Sequence, residues 1–235
     1  MTPMAQGEIL AQTFGFAALA LMATTLVVAA FYCLDALHGE RRDRSILFWK
    51  SLPVSDLMTV LSKATIPLLL LPLLTFLITF ALQVCMLLLS AAILLVGGQS
   101  LAMLSHLRLG MTWIALLNHL VVGHGLYYAP FYGWFLLVSA WARRAPFLWA
   151  ALPLLAIGAV EKIAFNTSHF AAMLGDRLGG DPGVVGFPVD SLSMDRLTHL
   201  GLLQFLISPG LWIGLVITAL FLFAAVQLRR RQGPV

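Results

Sequence analysis

Between Phe14 and Leu34 the chain carries no charged residue, and comparable apolar runs recur at about 65–96, 111–142, 146–165 and 203–228. About 20 apolar residues in helical form cross a hydrocarbon layer of roughly 30 Å. In such a layer every backbone polar group needs a partner within the protein, which leaves helices or a closed barrel. The alternating segments of about ten residues that build a barrel are absent. With 60% hydrophobic and 10% charged residues and a mean hydropathy of +0.95, an ordinary soluble chain is excluded. The sequence predicts an all-α integral membrane protein, a single domain over 1–235 with about five transmembrane helices.

Lysine and arginine set the expected orientation, because they collect on the cytoplasmic side of membrane spans. Ten of the fourteen fall in three places: Arg41, Arg42, Arg44, Lys50 and Lys63 in a polar segment at 35–64, Arg143 and Arg144 in a turn, and Arg229, Arg230 and Arg231 near the C-terminus. An odd number of spans puts all three on one side. The segment 35–64 and the C-terminus are then cytoplasmic, and the N-terminus and a Gly-, Pro- and Asp-rich loop at 166–202 are external. Two runs exceed 30 residues; Pro67 and Pro72 are placed to kink the second span, and Gly123, Gly125 and Pro130 to break the third. Cys33 and Cys85 both lie in apolar runs and read as buried, inert thiols.

The densest charge in the chain directly precedes its most aromatic loop stretch, "GERRDRSILFWKSLPVSD" at 39–56. Charges at mid-bilayer cost about 2.5–3.5 kcal/mol each even on insertion scales, so this stretch lies outside the hydrocarbon. Ser45 is placed to cap a short helix through "SILFWKS", which Pro53 follows, and Ser55 to cap a second helix that enters the membrane. The expectation is a short helix lying across the cytoplasmic face between two spans, with Phe48 and Trp49 available to a partner. The plainer reading of Glu40, Arg41, Arg42, Asp43 and Arg44 is a solvated positive-inside anchor, and of the two aromatics an interfacial belt.

The order Gly39-Glu40-Arg41-Arg42, an apolar run containing Leu47, and then Ser51-Leu52-Pro53-Val54-Ser55 resembles the cytoplasmic loop of ABC-2 type transporter permeases. "WARRAPFLWA" at 141–150 and "VEKIAF" at 160–165 look similar to a bacterial branch of the family. The resemblance implies that the loop is a coupling helix seated in a cleft of a separate ATP-binding subunit. Glu40, Arg41, Arg42, Ser45, Phe48, Trp49, Lys50, Leu52 and Pro53 would then be the coupling residues. It also implies an exporter in the bacterial inner membrane, working as a homodimer with two ATPase copies, with ATP and Mg bound by the partner and no cofactor in this chain. Members usually have six spans and a cytoplasmic N-terminal amphipathic helix. Here the first span already precedes the coupling loop, so the sequence reads as lacking the usual first helix, through truncation or as a shorter variant.

Within the spans, Asn118, His119, His124 and Tyr127 give the third run its polar character and are candidates for a translocation path. His119 and His124 are five residues apart, which suits shared metal ligation from one regular helix poorly, so no metal is expected. Glu161 and Lys162 lie roughly 22 Å along the fourth span from Pro146. Snorkelling or a structural ion pair is the expected role, and a polar gate the alternative. Gly210 and Gly214 form a GxxxG spacing that would favour close helix packing. No G-x-x-x-x-G-K-[ST], G-x-S-x-G or H-E-x-x-H occurs, which removes a P-loop and two hydrolase routes. An enzyme is not expected, nor a nucleic-acid partner. The rival readings are a membrane-anchored accessory or sensor protein, and an intramembrane enzyme or redox protein using His119, His124 or Glu161.

Overall fold

The computed structural model describes residues 3–98, 104, 109–179 and 207–231, and every long element among them is helical. Helix α1 (Pro3–Ala36) is followed by two short helices, α2 (His38–Arg42) and α3 (Ser45–Ser51). Helix α4 (Asp56–Thr65) passes through a π-helical turn (Ile66–Leu70) into α5 (Leu71–Val96). Helix α6 (Leu109–His119) passes through a second π-helical segment (Leu120–Tyr127) toward α7 (Ala129–Trp141). Then come α8 (Pro146–Phe165), α9 (His169–Gly179) and α10 (Pro209–Arg231). Most of the loop expected at 166–202 lies outside the described residues, as does the start of the last expected span.

Among the described residues, four helical stretches are long and apolar enough to cross a membrane: Gln12–Arg42, Asp56–Val96, Pro146–Phe165 and Pro209–Arg231. The expected third run is helical but interrupted. Its regular parts, α6 and α7, hold 11 and 13 residues, each below the roughly 20 that a single span needs.

Proline chemistry accounts for both interruptions. Pro72 has no N–H for the Leu68 carbonyl four residues back, and its ring crowds that carbonyl. The helix widens ahead of it, and the Leu71 N–H donates to Ile66 O, five residues back. Pro130 stands in the same relation to the second segment, where the Tyr128 N–H donates to Gly123 O at 3.2 Å. The two widened turns meet: a Cβ on Gly125 would lie 2.9 Å from Leu68 O. Only glycine lets the backbones approach this closely.

The outward surface of the bundle is apolar, and a stripe of polar side chains lies inside, among apolar core clusters. The buried residues of α5 are Pro72, Thr75, Thr79 and Gln83, one helical stripe, whereas Leu69, Leu70, Leu73, Leu74, Leu77 and Ile78 face outward. Thr75 Oγ1 meets Thr25 Oγ1 of α1 at 2.5 Å, and the Trp113 indole N–H donates to Gln83 Oε1 at 2.8 Å. In water such a surface would cost about 25 cal/mol per Å² of exposed apolar area. In lipid it costs nothing, and helices associate through packing and interhelical hydrogen bonds instead. Tight packing is centred on α7, against which α10 and α1 lie. Gly133 makes room there: its Cβ would come within 3.3 Å of Thr218 Cγ2 and 3.4 Å of Phe221 Cβ. Cys33 is buried, but Cys85, expected inside, is exposed on α5; a thiol is apolar enough to face lipid.

Candidate functional site

The stretch 37–63 is built on a framework of buried polar groups. Helix α7 ends at Trp141, leaving its last carbonyls without helical partners. His38 Nδ1 lies 3.1 Å from Ala142 O, and Arg41 Nη2 donates to the same carbonyl and, at 3.5 Å, to Ser139 O. A basic group at a helix C-terminus also complements the helix dipole. In return, Ser139 Oγ accepts the backbone N–H groups of Leu37 and His38, at 3.0 and 2.9 Å, where the chain turns from α1 into α2. These contacts fasten α2 to the end of α7.

A second set fastens α2 to α4 and α10. Glu40 is 7% exposed and Arg229, on the last turn of α10, is 4% exposed. Arg229 Nη1 pairs with Glu40 Oε2, and its Nε donates to Asp56 Oδ1 at 3.0 Å. Lys63 Nζ reaches Glu40 Oε1 at 3.0 Å. Two acids and two bases thus neutralise one another, as buried charges require. Glu40 and Arg41, expected to face a partner, are turned into the chain's own packing instead. The reason is that Arg229 and Lys63 pair with Glu40, while the Ser139 and Ala142 carbonyls at the end of α7 accept from Arg41.

What projects from this framework is apolar. After an exposed turn at Arg42–Asp43–Arg44, helix α3 buries only Ile46. Phe48 is 61% and Trp49 41% exposed, with ring centroids 5.6 Å apart in an edge-on arrangement. Leu47, Leu52, Val54, Leu57 and Met58 extend the same apolar surface, and Lys50 and Pro53 are exposed with it. Ser45 does not cap α3. Arg44 holds the cap position with φ 59°, in the left-handed region, and Ser45 Oγ instead donates to Glu40 O at 3.4 Å. Ser55 does cap α4, accepting the Met58 N–H at 3.2 Å. An exposed apolar lip thus stands on a base of ion-paired and hydrogen-bonded side chains.

The candidates in the third run separate. Asn118 and His119 are half-buried, and His124 is buried inside the π-helical segment, its ring 5.8 Å from that of Tyr128. Neither His124 nitrogen has a hydrogen-bond partner among the described residues. Tyr127 turns elsewhere, with its ring under Arg177 of α9 and its hydroxyl 3.4 Å from Asp176 O. No three His, Cys, Asp or Glu side chains gather into a metal-sized group among the described residues.

Glu161 makes no ion pair with Lys162. Its carboxylate accepts the Thr167 hydroxyl at 2.9 Å and the His169 and Phe170 N–H groups at 2.7 and 2.8 Å. These are first-turn donors of α9, which otherwise lack acceptors. Adjacent residues on a helix point apart, so the sequence neighbour loses to the helix end that folds back. Lys162 is exposed. A Cβ on Gly210 would meet nothing within 4 Å among the described residues, whereas one on Gly214 would be crowded, so the GxxxG spacing does not make a close helix pair there.

Reasoning from sequence missed Asp56, Ser139 and Arg229, and the stripe Thr75, Thr79, Gln83. The stripe carried a signal, since polar residues four apart in a long apolar run share one face. Arg229 carried none that distinguishes it from Arg230 and Arg231. No family model matches the sequence, and no curated protein and no solved structure matches it.

Proposed function

We propose that the chain is the membrane subunit of an ATP-driven ABC-2 type exporter, with α3 as its coupling helix and no catalytic residue of its own. The observation that carries this reading is the exposed Phe48–Trp49 pair on a short helix, tied through Glu40, Arg41 and Arg229 to the ends of α7 and α10. A push on α3 would reach those two helices through hydrogen bonds and ion pairs rather than through slack loop. In this reading Phe48, Trp49, Lys50, Leu52 and Pro53 touch the ATPase. Arg42 and Ser45 sit at the rim, and Glu40 and Arg41 position the loop. Five spans, counting 109–141 as one broken span, place the loop and the C-terminus in the cytoplasm. A homodimer with two ATPase subunits follows from the same resemblance. Asn118, His119 and His124 are the groups offered to a translocation path.

The test is recovery of the tagged chain from its native membranes. A co-eluting P-loop ATPase is expected. Truncating buried aromatic anchors commonly costs about 2 kcal/mol or more, roughly thirtyfold in affinity, so Phe48→Ala with Trp49→Ala should release it, while Glu161→Gln should not. Absence of any such ATPase with the parent chain, or its full retention by the double alanine variant, overturns the reading. The accessory-protein alternative predicts partner binding without ATP-dependent export from proteoliposomes.

Topology is checked separately by thiol labelling on a Cys85→Ala background. Ser51→Cys is expected to resist an impermeant reagent in intact cells, and Ser168→Cys to react. Equal labelling of both contradicts the proposed orientation.

A further inference from the structure

We propose that Arg177, seated between Tyr127, Pro130 and Gly214, forms a binding site for the phosphate group of a ligand. Helix α9 is held at both ends, by Glu161 at its first turn and by the Tyr127 hydroxyl at Asp176 O. This fixes where Arg177 falls. Its guanidinium carbon lies 5.2 Å from the centre of the Tyr127 ring. A Cβ on Gly214 would overlap Arg177 Nη2 and come within 3.2 Å of both Arg177 Cζ and Pro130 Cγ. Gly214 is therefore the notch in α10 that admits the guanidinium. Gly214 is fifteen residues before Arg229, about 22 Å along α10, so the site is remote from the docking loop.

Among the described residues the cation has no counter-charge. Arg177 Nε is buried with no hydrogen-bond partner, and no acid pairs with Arg177 among the described residues. The Glu161 carboxylate is committed to α9, and Asp176 offers Tyr127 its backbone carbonyl. The aromatic face attracts the cation but accepts no N–H hydrogen bond in the plane of the guanidinium. A partly buried charge in this state is completed by an anion, and the planar fork of arginine matches phosphate oxygens in pairs. Two sources present that chemistry at a membrane surface: the headgroup of a bilayer lipid, and a water-soluble phosphate ester.

The test uses the purified full chain in a neutral detergent, titrated with phosphatidylglycerol, with glycerol phosphate and, as the uncharged control, with diacylglycerol. Binding is read by native mass spectrometry. Saturable binding of a phosphate-bearing probe is expected, weakened about tenfold or more by Arg177→Gln, since a hydrogen-bonded charge is lost. Gly214→Ala, which closes the notch while keeping the arginine, is expected to weaken it as well. Gly210→Ala, in open space, is expected to bind like the parent. Uptake of phosphatidylglycerol alone identifies a lipid site, and uptake of glycerol phosphate as well a site for soluble phosphate esters. Each variant is compared at equal helical content and monodispersity. The proposal is overturned if diacylglycerol binds as well as the phosphate probes, if no phosphate probe binds, or if Arg177→Gln or Gly214→Ala binds as tightly as the parent. The ATPase experiment bears on a different surface and leaves this outcome untouched.

Discussion

Arg229→Leu is expected to lower the stability of the detergent-solubilised protein by about 3–5 kcal/mol, the range for breaking a buried ion pair from one side. The side chain is 4% exposed and holds Glu40 and Asp56 together. Leucine would fill part of its volume, yet leave Glu40 with Lys63 alone and Asp56 without its cation. Lys63→Ala is expected to cost much less, because Lys63 is 26% exposed and its loss leaves Glu40 paired with Arg229. Reversible unfolding of the two variants in mixed micelles measures the difference. An Arg229→Leu variant as stable as the parent would show that the cluster bears no net structural load. A cycle with Glu40→Gln gives the coupling directly, because contacting charges are not additive.

Ser139→Ala removes one oxygen and is expected to destabilise the protein by roughly 2–6 kcal/mol. Each buried donor left without an acceptor costs about 1–3 kcal/mol, and this hydroxyl serves two, the N–H groups of Leu37 and His38. Ser139 is fully buried in α7, so water cannot replace the oxygen without opening the helix junction. Ser139→Cys keeps a weak acceptor and is expected to fall between parent and alanine. Hydrogen exchange at Leu37 and His38 localises the effect. Rapid exchange there, with α10 still protected, is the pattern expected if Ser139 is the latch between α1–α2 and α7. Unchanged exchange at both amides would remove it from that role.

Both residues act on the same short stretch that projects Phe48 and Trp49. A loop of this kind, free of such anchors, would sample many positions, and ordering a residue costs about 1–2 kcal/mol in backbone entropy alone. Glu40, Arg41 and Ser139 meet that cost within the chain, so α3 is held in place by the chain's own contacts.

Features that act over a few residues were legible in the amino-acid sequence. Charge-free runs fixed helices, since a backbone in hydrocarbon has no other partner than itself. Ser55 fixed the start of α4, and Pro72 and Pro130 fixed where two helices widen. Where a local rule had a close competitor, as at Ser45, the turn geometry of Arg44 won. The tertiary structure alone decided which polar residues are inside. Arg229 meets Glu40 across 189 positions and Ser139 meets Leu37 across 102. Nothing local separates Arg229 from Arg230, or Glu40 from a solvated charge. The usual guide, an apolar stripe marking the inner face, is lost in a chain whose outward surface is as apolar as its core. Here the few polar side chains mark the interior, and their partners are set by how the helices pack, because a buried donor or charge is stable only where another helix brings its acceptor or counter-charge.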